Sequence, residues 1–193
     1  MKKTDEGLIK NSYENIIGEL QTIITIAYIL TVGIGMLFSF QKYRPFGINI
    51  FEYSDIFDFL ITPFSDFKVL GFSIISLILS LIIIKIDVYI KRNKPKFYSK
   101  VNMGLDKKKW FEPVMFIFYT SLTLGYLYTA SIFYGNTVKN EIEKQPEIQV
   151  KFIDGEVKTG TLIGKTSEIL FLKKKDKITA IPIKSMLKEI EIK

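Results

Sequence analysis

Three long apolar runs constrain this chain more than any other feature. They lie at about residues 17–40, 69–90 and 113–134, with cores TIITIAYILTVGIGMLFSF, VLGFSIISLILSLIIIKIDVYI and PVMFIFYTSLTLGYLYTASIFY. A helix of ~20 apolar residues can span the hydrocarbon of a bilayer because it satisfies its backbone N–H and C=O groups without water. The sequence therefore predicts an α-helical integral membrane bundle, three transmembrane helices within residues 1–135. The first run reads as a retained span and not as a cleaved leader. Asp5, Glu6 and Glu14 precede it, and it ends in FSFQKYRPF, which is no small-residue cleavage site.

Each run carries a stripe of small residues. Ala27, Thr31, Gly35 and Ser39 recur every fourth residue in the first; Ser73, Ser76 and Ser80 share a face of the second; Ser121, Gly125 and Thr129 recur every fourth residue in the third. Small side chains let helix backbones approach closely in lipid, so these positions are expected to pack helix on helix, within one chain or in a homo-oligomer. Lys85 and Asp87 are the charges well inside a run. Both lie near its C-terminal end, where Lys85 can snorkel to the interface and Asp87 is within a turn of it.

The segments between the runs differ in charge. Residues 91–110 are strongly basic, and short lysine-rich loops stay in the cytoplasm. Lys91, Arg92, Lys94, Lys96, Lys107, Lys108 and Lys109 are placed to touch anionic lipid headgroups, beside Phe97, Tyr98 and Trp110. Loop 46–63 is aromatic and acidic, with Glu52, Asp55 and Asp58, and reads as an amphipathic helix on the outer face or a re-entrant turn. Its carboxylate spacing matches no metal-binding loop, so no metal is expected. With the basic loop inside, the N-terminus is cytoplasmic and the chain from Asn136 is extracytoplasmic. Arg44 and Arg92 are the only arginines. That lysine bias, with abundant isoleucine, suits a low-GC genome and places the chain in a bacterial cytoplasmic (inner) membrane.

After a polar linker at 136–146, residues 147–193 change to a period of two. In EIQVKF, Ile148, Val150 and Phe152 alternate with polar residues, as in a half-buried strand. Asp154-Gly155 signals a hairpin. EVKTGTLIGKT reads as a long strand that Gly160 and Gly164 allow to bend, SEILFLK and ITAIPI as further strands, SMLK as a turn and EIEI as a last short strand. GTLIGKT imitates the end of a phosphate-binding loop, but Thr159 stands where its first glycine is required, and SEILFLKKK is not a helix start. Lys165 and Thr166 are then expected at the surface of a strand end, with no nucleotide.

The series Phe152-Ile153-Asp154-Gly155, Gly160-Thr161-Leu162-Ile163-Gly164, Ile169-Leu170-Phe171-Leu172, Ile181-Pro182-Ile183 and Ile190-Glu191-Ile192 resembles a small five-stranded Sm/SH3-like β-barrel. It is also similar to the β domain of small-conductance mechanosensitive channels. That resemblance implies a channel whose β domain is cytoplasmic. The tyrosine- and phenylalanine-rich third run and the linker depart from that family's pattern.

The chain has no histidine and no cysteine, which removes the commonest general base, the commonest metal ligand and thiolate chemistry. No catalytic residue and no cofactor are expected. Scarce arginine and the absence of a recognisable RNA-binding loop pair argue against nucleic acid as a partner. The expectation is a non-enzymatic, oligomeric membrane protein that senses a ligand or binds a protein partner through its β-barrel. Compact membrane subunits of bacterial stress or antiphage systems share this size and layout. The alternative is a channel or membrane-permeabilising effector.

Overall fold

The computed structural model describes the backbone of residues 2–183 and 187–191 and the side chains of residues 18–183. Helix α1 (Lys2–Tyr43) leads through single 3-10 turns at Arg44–Phe46 and Ile50–Glu52 into the short α2 (Ile56–Ser65). Helix α3 (Phe67–Asn93) begins one residue later; α4 (Pro95–Val101) and a 3-10 turn at Leu105–Lys107 connect it to α5 (Phe111–Ile142). Strands β1 (Ile148–Phe152), β2 (Val157–Lys165), β3 (Ile169–Lys174), β4 (Lys177–Pro182) and β5 (Leu187–Glu191) follow.

Gly18–Phe46, Phe67–Asn93 and Phe111–Ile142, of 29, 27 and 32 residues, are long and apolar enough to cross a membrane. At ~1.5 Å per residue each exceeds the ~30 Å of a hydrocarbon core. Helix α5 packs against both α3 and α1, while α1 and α3 barely touch. All of residues 18–30 of α1 are exposed, so the bundle is tight only toward the C-terminal end of α1.

The polar linker expected at 136–146 is mostly helix. Helix α5 continues to Ile142 because Val138 and Ile142, one turn apart, are buried in the core that α1 and the sheet share. Loop 46–63 likewise becomes two 3-10 turns and α2. The Asp55 carboxylate accepts from the backbone N–H of Phe57 and Asp58, and the Asp58 carboxylate accepts from the Asp55 N–H, a reciprocal capping box. Phe59 and Pro63 are buried on one side, and Phe57, Ile61 and Phe64 form an exposed apolar stripe on the other.

Strands β1–β4 form an antiparallel sheet, and β5 pairs along the outer edge of β1, giving the order β4-β3-β2-β1-β5. The first half of β2 pairs with β1 (Ile148 opposite Gly160) and its second half with β3 (Lys165 opposite Leu170). The register shifts between Leu162 and Gly164, the bend expected there. Of the expected turn SMLK, Ser185 and Met186 lie outside the described residues, and Leu187 and Lys188 belong to β5.

Two cores result. Ile148, Val150, Phe152, Leu170, Leu172 and Ile181 fill the inside of the sheet. The second core joins Phe38, Tyr43, Phe46, Ile50, Phe59, Val138 and Ile142 of the helical part to Ile163 and Phe171 of the sheet. Strand β3 thus buries both faces, Leu170 and Leu172 inward and Phe171 against the helices.

Candidate functional site

The sheet meets the helices through a turn and an aromatic cluster. Phe171 takes edge-on contacts from Tyr43 (5.4 Å between ring centroids) and Tyr53 (5.3 Å). Between β2 and β3 the chain turns over Thr166–Glu168. The Thr166 hydroxyl accepts from the Ile169 N–H (3.0 Å), and the Thr166 N–H donates to the Ile169 carbonyl (2.8 Å). Ser167, at the tip, donates its N–H to Asp58 Oδ1 (2.9 Å) and its hydroxyl to Oδ2 (3.2 Å). The capping carboxylate of α2 is therefore also the anchor of the β2–β3 turn.

Behind that anchor lies a cavity of about 530 Å³ at the seam between helices and sheet. Ser39, Lys42 and Tyr43 of α1 line it, with Asp58, Thr62 and Ser65 of α2, Asp66, Tyr134 of α5, and Lys165, Thr166 and Ser167 of the turn. Its size is that of a small-molecule site. Asp66 caps α3 by accepting from the Lys68 N–H (2.9 Å) and also accepts from the Tyr134 hydroxyl (2.7 Å). Lys68 itself pairs with Glu141. Ser39 and Thr62 share a hydroxyl–hydroxyl hydrogen bond of 3.3 Å across α1 and α2. Neither Lys42 nor Lys165 has a carboxylate within ion-pair distance among the described residues.

The residues singled out in the sequence fall into three groups. In α1, Gly35 and Ser39 are buried, Thr31 is half-buried and Ala27 is exposed. Gly35 lies so close to α2 that a Cβ would overlap the Phe59 carbonyl. In α3, Ser73, Ser76 and Ser80 are buried, each hydroxyl donating to a carbonyl in the preceding turn (2.7–2.9 Å). In α5, Ser121, Gly125 and Thr129 are exposed, so the helix contacts within the chain do not use them. A second stripe, Leu127, Ser131, Tyr134, Gly135 and Val138, is buried instead, and a Cβ on Gly135 would overlap the Gln41 carbonyl of α1.

Lys91, Arg92, Lys94, Lys96, Lys107, Lys108 and Lys109 are all exposed around α4, at the end of the α3–α5 pair away from the seam. Lys85 is also exposed. Asp87 has a structural partner that the sequence did not indicate, since α4 folds back and the Tyr98 hydroxyl donates to it (3.1 Å). Burial first, then the hydrogen bond to Asp87, then the charges of Asp87 and Asp106 push the Tyr98 hydroxyl up to about 12.

GTLIGKT has the geometry of a bend and not of a phosphate loop: the turn after Thr166 leads directly into strand β3 and not into a helix. Thr166 is buried, contrary to its expected surface position, because its hydroxyl closes the turn. Glu52, Asp55 and Asp58 do not converge on a common point. Glu52 accepts from the Asn49 side chain (2.7 Å), and Asp55 and Asp58 cap α2.

No family model matches the chain, and no curated protein matches it. Among solved structures it is similar to the 1.55 Å crystal structure of "the pleiotropic translational regulator, Hfq". The two are 18% identical, over 30% of this chain and 93% of that one, with a TM-score of 0.24. At that score the likeness carries no argument about fold, activity or partners.

Proposed function

We propose that this chain is a non-enzymatic integral membrane protein that acts as an oligomeric sensor or partner-binding module. The carrying observation is the seam. The β domain has no free tether but shares a core with the ends of α1 and α5, and the Asp58–Ser167 anchor fixes it to α2. An occupant of the seam, or a partner on the sheet, would thus act directly on the helix ends. The strand order and the bent, doubly paired β2 support reading the sheet as a Sm/SH3-like barrel. The outward stripe Ser121, Gly125 and Thr129 and the exposed residues 18–30 of α1 support contact between copies in the membrane. The basic loop supports a cytoplasmic N-terminus and an extracytoplasmic β domain in a bacterial inner membrane. Spin labels on the sheet and on α3, with distances measured in nanodiscs, test the coupling. A sheet that moves independently of the bundle would defeat it.

The second reading is a channel or permeabilising effector. Its motivation is the same outward stripe on α5, which copies could turn toward a common axis. Liposomes carrying the purified protein that stay tight at all tensions and voltages would remove it.

A further inference from the structure

We propose that α2 is a lipid-contact helix, its outer face seated among headgroups and acyl chains, and that it carries that contact to the β2–β3 turn. The helix has three sides. Phe59 and Pro63 are buried in the helical core, and Asp58 and Thr62 line the seam cavity. Phe57, Ile61 and Phe64 point outward at the i, i+4, i+7 spacing of one helical stripe. They are 64%, 57% and 64% exposed, and Phe67, the first residue of α3, is 83% exposed. Large apolar side chains gathered on one outer surface mark a place that something apolar covers.

The depth of α2 says what covers it. A Cβ on Gly35 would overlap the Phe59 carbonyl, and Ser39 shares a hydrogen bond with Thr62. Gly35 and Ser39 both lie within the first candidate span, Gly18–Phe46. Gly35 is about 12 Å along α1 from Tyr43, at ~1.5 Å per residue. Helix α2 therefore lies alongside the last turns of that span and not beyond its end. Asp66 alone separates it from α3, the second candidate span. When α1 and α3 cross a bilayer, the outer face of α2 is held at the level where their own apolar surfaces meet lipid. A second copy is the competing occupant. Close helix contact in lipid uses small side chains, which this stripe lacks and the stripe Ser121, Gly125 and Thr129 supplies. Phenylalanine and isoleucine suit the acyl boundary.

The seam side of the same helix holds the sheet. Asp58 accepts from the N–H and the hydroxyl of Ser167. A change in bilayer thickness or packing that shifts α2 thus acts on the β2–β3 turn with no soluble ligand between them. The proposal rests on the membrane-sensor reading and names what is sensed, the lipid beside α2.

The test uses the full chain in nanodiscs. Single cysteines carry a nitroxide, and power saturation reads the access of oxygen and of a water-soluble nickel chelate to each. Ile29→Cys, within the first candidate span, is the lipid reference, and Ile153→Cys, in the β1–β2 turn, is the water reference. A label at Phe64→Cys should favour oxygen over nickel as the lipid reference does. A label as open to nickel as the water reference, or closed to both reagents by a second copy, overturns the proposal. The second readout is hydrogen exchange in the β2–β3 turn, compared between discs of dilauroyl- and dioleoylphosphatidylcholine. The two rates should differ about tenfold in the native chain and converge in F57S/F64S. Equal rates in the native chain, or an undiminished difference in F57S/F64S, also overturn the proposal. The Phe64→Cys label decides the matter even if F57S/F64S fails to fold. A label at Ile29→Cys that is open to nickel defeats the membrane reading itself. A lipid-seated label there with a water-exposed one at Phe64→Cys defeats this proposal alone.

Discussion

At Gly164 strand β2 passes so close to α1 that a Cβ would overlap the Tyr43 hydroxyl. The backbone there is not in the left-handed region, so the demand on glycine is one of space and not of φ. Gly164→Ala should therefore destabilise the chain by about 1–3 kcal/mol, the usual cost of overpacking. Tyr43→Phe removes the overlapped atom, so the double variant should recover at least ~1 kcal/mol of that loss in a thermal-melt cycle. Strictly additive effects would show that the close approach does not hold in solution. The same bend explains what was legible here. Two glycines in an otherwise strand-like run announce a bend, but the helix end that requires the second of them is more than a hundred residues away in sequence. Thr166 was misplaced for a related reason. A threonine before Ser-Glu reads as surface until its hydroxyl is seen closing the turn on Ile169.

At the scale of elements, α2 is the piece on which the seam depends. Its capping box holds Asp58, and Asp58 holds the β2–β3 turn. Asp55→Ala should cost about 1 kcal/mol through the lost cap. It should also raise proteolysis within the sheet while leaving the α3–α5 contact protected. An equal loss of protection everywhere would argue that α2 is not a separate link. Helix α4 gives a prediction in pH. The folded Tyr98 hydroxyl titrates well above the ordinary tyrosine value, so its contribution is fully present below about pH 10 and is lost as pH rises through about 12. Tyr98→Phe should therefore lower stability at pH 7 and flatten the alkaline loss between those limits; an unchanged alkaline profile would count against the Tyr98–Asp87 contact. The three long helices were legible because twenty apolar residues leave few alternatives. The extension of α5 was not, since Val138 and Ile142 are isolated apolar residues in a polar segment and only their burial shows that the helix continues. The α5 stripe is a matter of phase. Ser121, Gly125 and Thr129 have the same spacing as Ser131 and Gly135, and one sequence supplies a period without saying which stripe meets a neighbour.

Across the whole molecule, the proposed crossing of a bilayer by three helices fixes relative sides, because their number is odd. The α1–α2 segment and the β domain meet at one end of the bundle, joined by Asp58–Ser167 and by Phe171 against Tyr43 and Tyr53. The basic segment around α4 lies at the other. Under the same proposal charge supplies the absolute direction, because inverting the molecule would carry the lysines of loop 91–110 across the membrane. The chain contains no cysteine, so single-cysteine variants report cleanly. Ile153, in the β1–β2 turn, and Val101, at the end of α4, are both exposed. In intact spheroplasts a membrane-impermeant thiol reagent should label Ile153→Cys, and it should label Val101→Cys only after permeabilisation. Labelling of both from one side would contradict the three-span arrangement itself. The reversed pattern would keep that arrangement and overturn the charge argument, placing the β domain in the cytoplasm, where the channel resemblance puts it.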